Sequence, residues 1–260
     1  MNLIIVTCPQ LAPERLSKQI AQMNCAIAAG YISGLQIICM DDAEARRLAN
    51  TSYRPERWSS DIAAGWEFFK HNIVAQSQNI NSDAENYLES LASDMCFPSR
   101  LLTKSEHSVA LRHMLAIETI ANASSPCIVL EDDALVCDEL LFHELLQSFY
   151  QYSRVRVFFD LSDNYIPIGM ARSKLHQIGT LQYCMRPTAI TRTLMAYAMF
   201  PETAGLLLNS LTHYSLPIDM QLQVQLCRLC LPGLSLISSP FRHGSKTNAM
   251  PSSVQQSDSA

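Results

Sequence analysis

The chain has 260 residues, 48% of them hydrophobic, with 19 Lys and Arg against 24 Asp and Glu and a formal net charge of −5. That length and apolar content suffice for a sizeable core and exclude disorder over most of the chain. The acidic balance supplies no basic surface for a phosphate backbone, so no nucleic-acid partner is expected. No stretch reaches the ~18 uninterrupted apolar residues of a membrane span. The opening "MNLIIVTCPQ" has neither the charged n-region nor the long apolar run of a signal peptide. A cytoplasmic, reduced protein is the expectation. The nine cysteines fit it: their number is odd, and Cys8, Cys39 and Cys127 sit in apolar runs where a thiol acts as a small hydrophobe. Cys227 and Cys230 form the one C-x-x-C, without the further ligands a zinc site needs, and read as packing residues.

Taken in chain order, "NLIIVT" is a short run rich in branched residues that ends before Pro9, a first strand. "APERLSKQIAQMNCAIAAG" follows as a helix, with Pro13 early and Gly30 at its stop. "LQIICM" is a second strand ending at Asp41 and Asp42, and "AEARRLAN" a second helix. Between Ser52 and Arg100 the pattern is weaker, with "DIAAGWEFFKHNIVAQ" and "SDAENYLESLASDM" read as helices. "KSEHSVALRHMLAIETIANAS" is the clearest helix, its Val109, Leu111, Leu115, Ile117 and Ile120 near helical spacing. The strand "CIVL" comes next, then Glu131, Asp132 and Asp133, then the helix "DELLFHELLQSFYQY". "VRVFFDLSD" is a strand ending in Asp160 and Asp163, and "LQYCM" a short strand. "TAITRTLMAYAMF" and "PIDMQLQVQLCRLC" read as helices, "SPFRHGSK" as a turn. Alternating strands and helices predict an α/β domain over residues 1–244 with a mostly parallel sheet. The polar stretch 245–260 reads as a mobile tail.

The chemistry centres on the acidic triplet. Three adjacent carboxylates at the end of a buried strand repel one another unless a positive charge or water meets them. Open α/β sheets bind ligands at the carboxyl ends of their strands. Successive residues of an extended segment point to opposite sides, so Glu131 and Asp133 face one way and Asp132 the other. Two carboxylates so placed suit one hard cation, Mn2+ or Mg2+, whose remaining ligands come from water and a substrate's phosphates. An N-terminal helix cluster is the plainer use of such acids, as Asp138 and Glu139 illustrate at the next helix. With 8 glycines the chain contains neither G-x-G-x-x-G nor G-x-x-x-x-G-K-[ST]. A phosphorylated ligand would therefore depend on a cation and arginines, a combination that points to a nucleotide-sugar enzyme.

The block "LTKSEHSVALRHMLAIETIANASSPCIVLEDDALV", Leu101 to Val136, resembles the central signature of the family-25 glycosyltransferases of lipopolysaccharide and collagen glycosylation. That signature runs K-x-G-E-x-x-C-x-x-S-H, a helix, and a hydrophobic strand ending E-D-D. Glu106 and His113 fall in place and Lys104 lies one residue from the signature's lysine, while Ser105 and Arg112 stand where the family has glycine and serine. "IGTLQYCMRPTAITRTL" is similar to the family's G-T-x-x-Y segment through Gly179, Thr180 and Tyr183, and "LPIDMQLQ" to its P-x-D segment through Pro217 and Asp219. Arg15 matches in the looser echo "IIVTCPQLAPERLSKQIAQM".

The resemblance implies a GT-A type Rossmann-like fold and an inverting transfer of a hexose, usually galactose or glucose, from a UDP-sugar to a saccharide acceptor of a surface glycan. It implies Glu131 and Asp133 as metal and diphosphate contacts and His243 as a late metal ligand. Arg15, Lys104, Glu106, His113, Asp132, Thr180 and Tyr183 become the nucleotide or substrate contacts. Asp219, then Asp163, are the candidates for the general base. Arg242 and Lys246 flank His243 within reach of a diphosphate, and Trp58 and Trp66 are candidates for a sugar surface. A lipid-linked saccharide acceptor would add peripheral association with the inner face of a membrane. Two other readings use the same residues: a phosphatase or nuclease that activates water on a doubly wound sheet, and a non-catalytic glycosyltransferase-like binding module.

Overall fold

The computed structural model describes residues 1–8, 12–40, 54–55, 102, 104–152, 156–162, 175–186, 189, 193–211, 213–214 and 216–244. The helices expected at 43–50, 61–76 and 82–95, Trp58, Trp66, Asp163, Lys246 and the expected tail lie outside them. Among the described residues, no helix is long and apolar enough to cross a membrane.

An eight-stranded sheet flanked by helices on both faces makes this an α/β protein. Its strands are β1 (Asn2–Thr7), β2 (Gly34–Cys39), β4 (Cys127–Glu131), β6 (Phe158–Asp160), β7 (Leu175–Ile178), β8 (Leu181–Arg186), β9 (Ala196–Met199) and β11 (Gly233–Leu236), in the spatial order β2-β1-β4-β9-β6-β11-β8-β7. Two short pairs stand apart: β3 (Arg54–Pro55) with β10 (His213–Tyr214), and β5 (Ala134–Val136) with β12 (Phe241–His243). The helices are α1 (Ala12–Ala28), α2 (Lys104–Ala121), α3 (Glu139–Gln151), α4 (Pro201–Ser210) and α5 (Ile218–Arg228).

The sheet is mixed. β2, β1 and β4 run parallel, as do β6 and β11, while β9 lies antiparallel between β4 and β6, and β8 and β7 extend the sheet antiparallel. Alternation along each strand feeds two apolar clusters. Ile4, Val6, Val129, Phe158 and Tyr197 face α2, α4 and α5; Leu3, Ile5, Ile128, Leu130 and Phe159 face α1 and α3.

Two sequence expectations are corrected here. The stretch read as a helix around Ala196 is the central strand β9, followed by α4. Ala-Tyr-Ala-Met is buried at every position, and a short run buried on both faces carries no period that separates strand from helix. The stretch read as a turn at "SPFRHGSK" contains β12, which pairs antiparallel with β5. Gly179, at φ +60°, makes the tight β7–β8 turn in a conformation that other residues resist.

A candidate cation site beside an acidic cleft

β4 ends at Glu131, and the chain turns through Asp132 and Asp133 into β5. α1 pins this turn from one side. The Gln19 side-chain amide donates to the backbone carbonyls of Glu131 (2.8 Å) and Ala134 (3.1 Å), and the Gln22 amide donates to that of Val136 (3.0 Å). β12 pins it from the other, with the Gly244 N–H donating to the Asp133 carbonyl at 2.7 Å. The turn is therefore held by backbone and amide groups, leaving its three carboxylates for other work.

The carboxylates part as the strand alternation requires. Asp132 turns toward α1. The buried Arg15 guanidinium donates to its Oδ1 at 2.6 Å, and the Thr7 hydroxyl at the end of β1 donates to its Oδ2 at 2.7 Å. Acid and base are thus paired inside the fold, and with Thr7 they join β1, α1 and the turn after β4. Glu131 and Asp133 lie toward β12. One ligand atom from each of Glu131, Asp133 and His243 falls within 4.8 Å of the others, and His243 Nδ1 is 3.1 Å from Asp133 Oδ2. A cation bound at 2.0–2.2 Å separates its ligand atoms by roughly 3–4.4 Å, so small side-chain shifts suffice for all three to share one. Two carboxylates and an imidazole suit Mn2+, which accepts a nitrogen ligand more readily than Mg2+ with its preference for an all-oxygen shell.

Behind Glu131 stands His113 on α2, with none of its surface exposed. Its Nε2 is 3.1 Å from Glu131 Oε1 and its Nδ1 3.1 Å from the Tyr197 hydroxyl on β9. Burial raises the Tyr197 phenol well above its usual range, with the Glu131 charge adding to the rise, so the phenol keeps its proton.

Glu131 and His243 open on a cleft of about 280 Å3 shared with Glu106, Thr193 and Asp219 and walled by Val109, Leu194, Pro217 and Ile218. Glu106 comes from the first turn of α2 and Asp219 from the first turn of α5. Desolvation pushes the Asp219 carboxyl up to about 6. The Met220 N–H, which donates to Oδ1 at 2.9 Å, opposes that rise, and the Glu131 charge adds to it. A carboxyl poised there is largely ionised near neutrality and can accept a proton.

The structure thus gathers Glu106, Glu131, Asp133, Asp219 and His243 from sequence positions read as site residues. Among the described residues, the others lie apart from the cleft. His113 is a buried partner of Glu131 rather than a cleft residue, and Asp132 and Arg15 occupy each other. Tyr183 is a core residue whose hydroxyl is 3.3 Å from the Ser148 hydroxyl, and its burial pushes the phenol up to about 12. Thr180 sits in the β7–β8 turn and donates to Glu144 at 2.6 Å. Neither lines the cleft. Lys104 opens α2, and its side chain lies outside the described residues. Tyr197, Thr7 and Gln19 escaped the sequence reading. Tyr197 lies in a run buried at every position, which offers no period to read, and the other two are placed by tertiary contacts alone.

No protein-family model matches the chain, and no curated protein matches it.

Proposed function

We propose that this protein is an inverting, divalent-cation-dependent glycosyltransferase of GT-A type that moves a hexose, galactose first among the candidates, from a UDP-sugar to a saccharide acceptor. The observation that carries this reading is the convergence of Glu131, Asp133 and His243 at the carboxyl end of a parallel strand, beside a cleft that also holds Asp219. The sequence resemblance around the same strand and helix supports it. Glu131, Asp133 and His243 would hold Mn2+ or Mg2+. When bound, the cation supplies positive charge that offsets the diphosphate leaving group.

The protein's own groups then account for the rest. Asp219, ionised, accepts the proton of the acceptor hydroxyl as that oxygen attacks the anomeric carbon, and the bond from that carbon to the UDP oxygen breaks. Val109, Leu194, Pro217 and Ile218 give the cleft an apolar wall that limits water, and Glu106 supplies a hydrogen-bond acceptor for sugar hydroxyls. A saccharide acceptor on a lipid would bring the protein to the inner membrane face.

Calorimetric titration with UDP, with and without Mn2+ and repeated on Asp133→Ala, tests the donor site. Cation-dependent binding lost in the variant supports it. Absence of binding by the folded wild-type protein overturns it. Release of hexose from a UDP-sugar in the absence of any acceptor, at a rate no acceptor raises, would instead favour a hydrolase.

A further inference from the structure

The Tyr197–His113–Glu131 chain has a direction set by its donors. Tyr197 and His113 are both fully buried. The Tyr197 hydroxyl has the His113 Nδ1 as its hydrogen-bond partner, and His113 Nε2 has Glu131 Oε1. A buried phenol that keeps its proton must donate it. Nδ1 is then the acceptor, and the ring proton lies on Nε2, aimed at the Glu131 carboxylate. With a proton on Nε2 the ring can donate to Glu131 while Nδ1 accepts from Tyr197.

Position matters as much as protonation. Glu131 is the last residue of β4, its side chain about a quarter exposed, with a flexible stem and acidic neighbours. Unrestrained, it would sample rotamers away from Asp133. Two rigid elements remove that freedom. α2 carries His113, and β9, which pairs with β4, carries Tyr197, whose ring stacks on Phe158 with centroids 5.6 Å apart.

We infer that His113 and Tyr197 are positioning residues that hold the Glu131 carboxylate in its cation-binding orientation. The inference rests on the proposed cation site and deepens it. Neither residue touches substrate. His113 acts through Glu131, and Tyr197 acts through His113.

Mn2+ titration followed by electron paramagnetic resonance, with melting temperature measured in parallel, tests the chain link by link. His113→Leu should weaken Mn2+ binding by about 10- to 100-fold, as loss of an outer-shell partner does. His113→Gln, whose amide N–H can reach Glu131, should recover most of that loss. Tyr197→Phe keeps the ring packing and removes the hydroxyl alone, so it should weaken binding by about fivefold, one hydrogen bond's worth. A purely structural role would lower the melting temperatures and leave Mn2+ affinity of the folded protein unchanged. Affinities within twofold of wild type in Tyr197→Phe and in both His113 variants overturn the inference. Wild-type protein that binds no Mn2+ overturns the cation site itself, a result distinct from the variants matching a wild type that binds.

Discussion

His243 Nδ1 lies 3.1 Å from Asp133 Oδ2, joined across the antiparallel pairing of β12 with β5, where His243 stands opposite Ala134. A strand near the end of the described chain thus delivers the imidazole to a turn formed at its middle. The register of that pairing fixes the contact: a slip of one residue would bring Arg242 or Gly244 to the place of His243.

The nitrogen donor should set cation preference. His243→Asp makes the site all-oxygen, so the ratio of Mn2+ to Mg2+ affinity should fall by about tenfold or more. Competition titration of the two ions measures it. An unchanged ratio would remove His243 from the ligand set.

Asp219 predicts a trade between stability and activity. Its folded pKa of about 6 lies above the value of about 3.9 expected in the unfolded chain. The folded state therefore binds the extra proton between those values, and stability falls as pH rises from about 4 to about 6. Asp219→Asn removes that penalty. After chelation of cations, it should be more stable than wild type at pH 7.5 by of order 1–2 kcal/mol, allowing for solvent screening at the cleft, and equal to it at pH 4. Thermal denaturation at the two pH values decides.

The same substitution should cut UDP-sugar turnover by roughly 10²- to 10⁴-fold, the usual contribution of a general base. In the wild type, kcat/KM should rise as pH passes through the range in which Asp219 ionises, and the variant should lack that limb. A limb that survives in Asp219→Asn would assign the base elsewhere.

Asp132 should behave as a member of the fold. Asp132→Asn leaves the Arg15 charge buried without its counter-ion, which costs about 3–5 kcal/mol, or roughly 10 °C in melting temperature at this chain size. UDP affinity of the folded variant should stay within a few-fold of wild type. A selective loss of UDP binding with little loss of stability would restore Asp132 to the nucleotide site.

The strands and helices that carry the acids were legible because they are long or strongly patterned: β1, α1, β2, α2, β4 and α3 all stand where the residues predicted them. The split of the acidic triplet was legible too, since period-2 alternation alone sends Glu131 and Asp133 one way and Asp132 the other. What escaped depends on partners distant in sequence. β9 is a four-residue run buried on both faces, with no exposed positions to betray its period. β12 is only three residues long, and its pairing with β5 turns an apparent surface turn into a strand that brings His243 to Asp133. Tyr183 matched a motif yet packs in the core, because a match of residue type carries no information about which face of the sheet the side chain occupies.

The order in which the donors appear along the polypeptide carries a last consequence. Glu131 and Asp133 leave the ribosome well before β12, so a nascent chain holds two mutually repelling carboxylates without the imidazole that completes the set. If the three groups hold a cation as proposed, its capture would wait for β12 to dock on β5. On the proposed reading, loading would follow the docking of this strand, and bound metal would report that both ends of the segment have found each other.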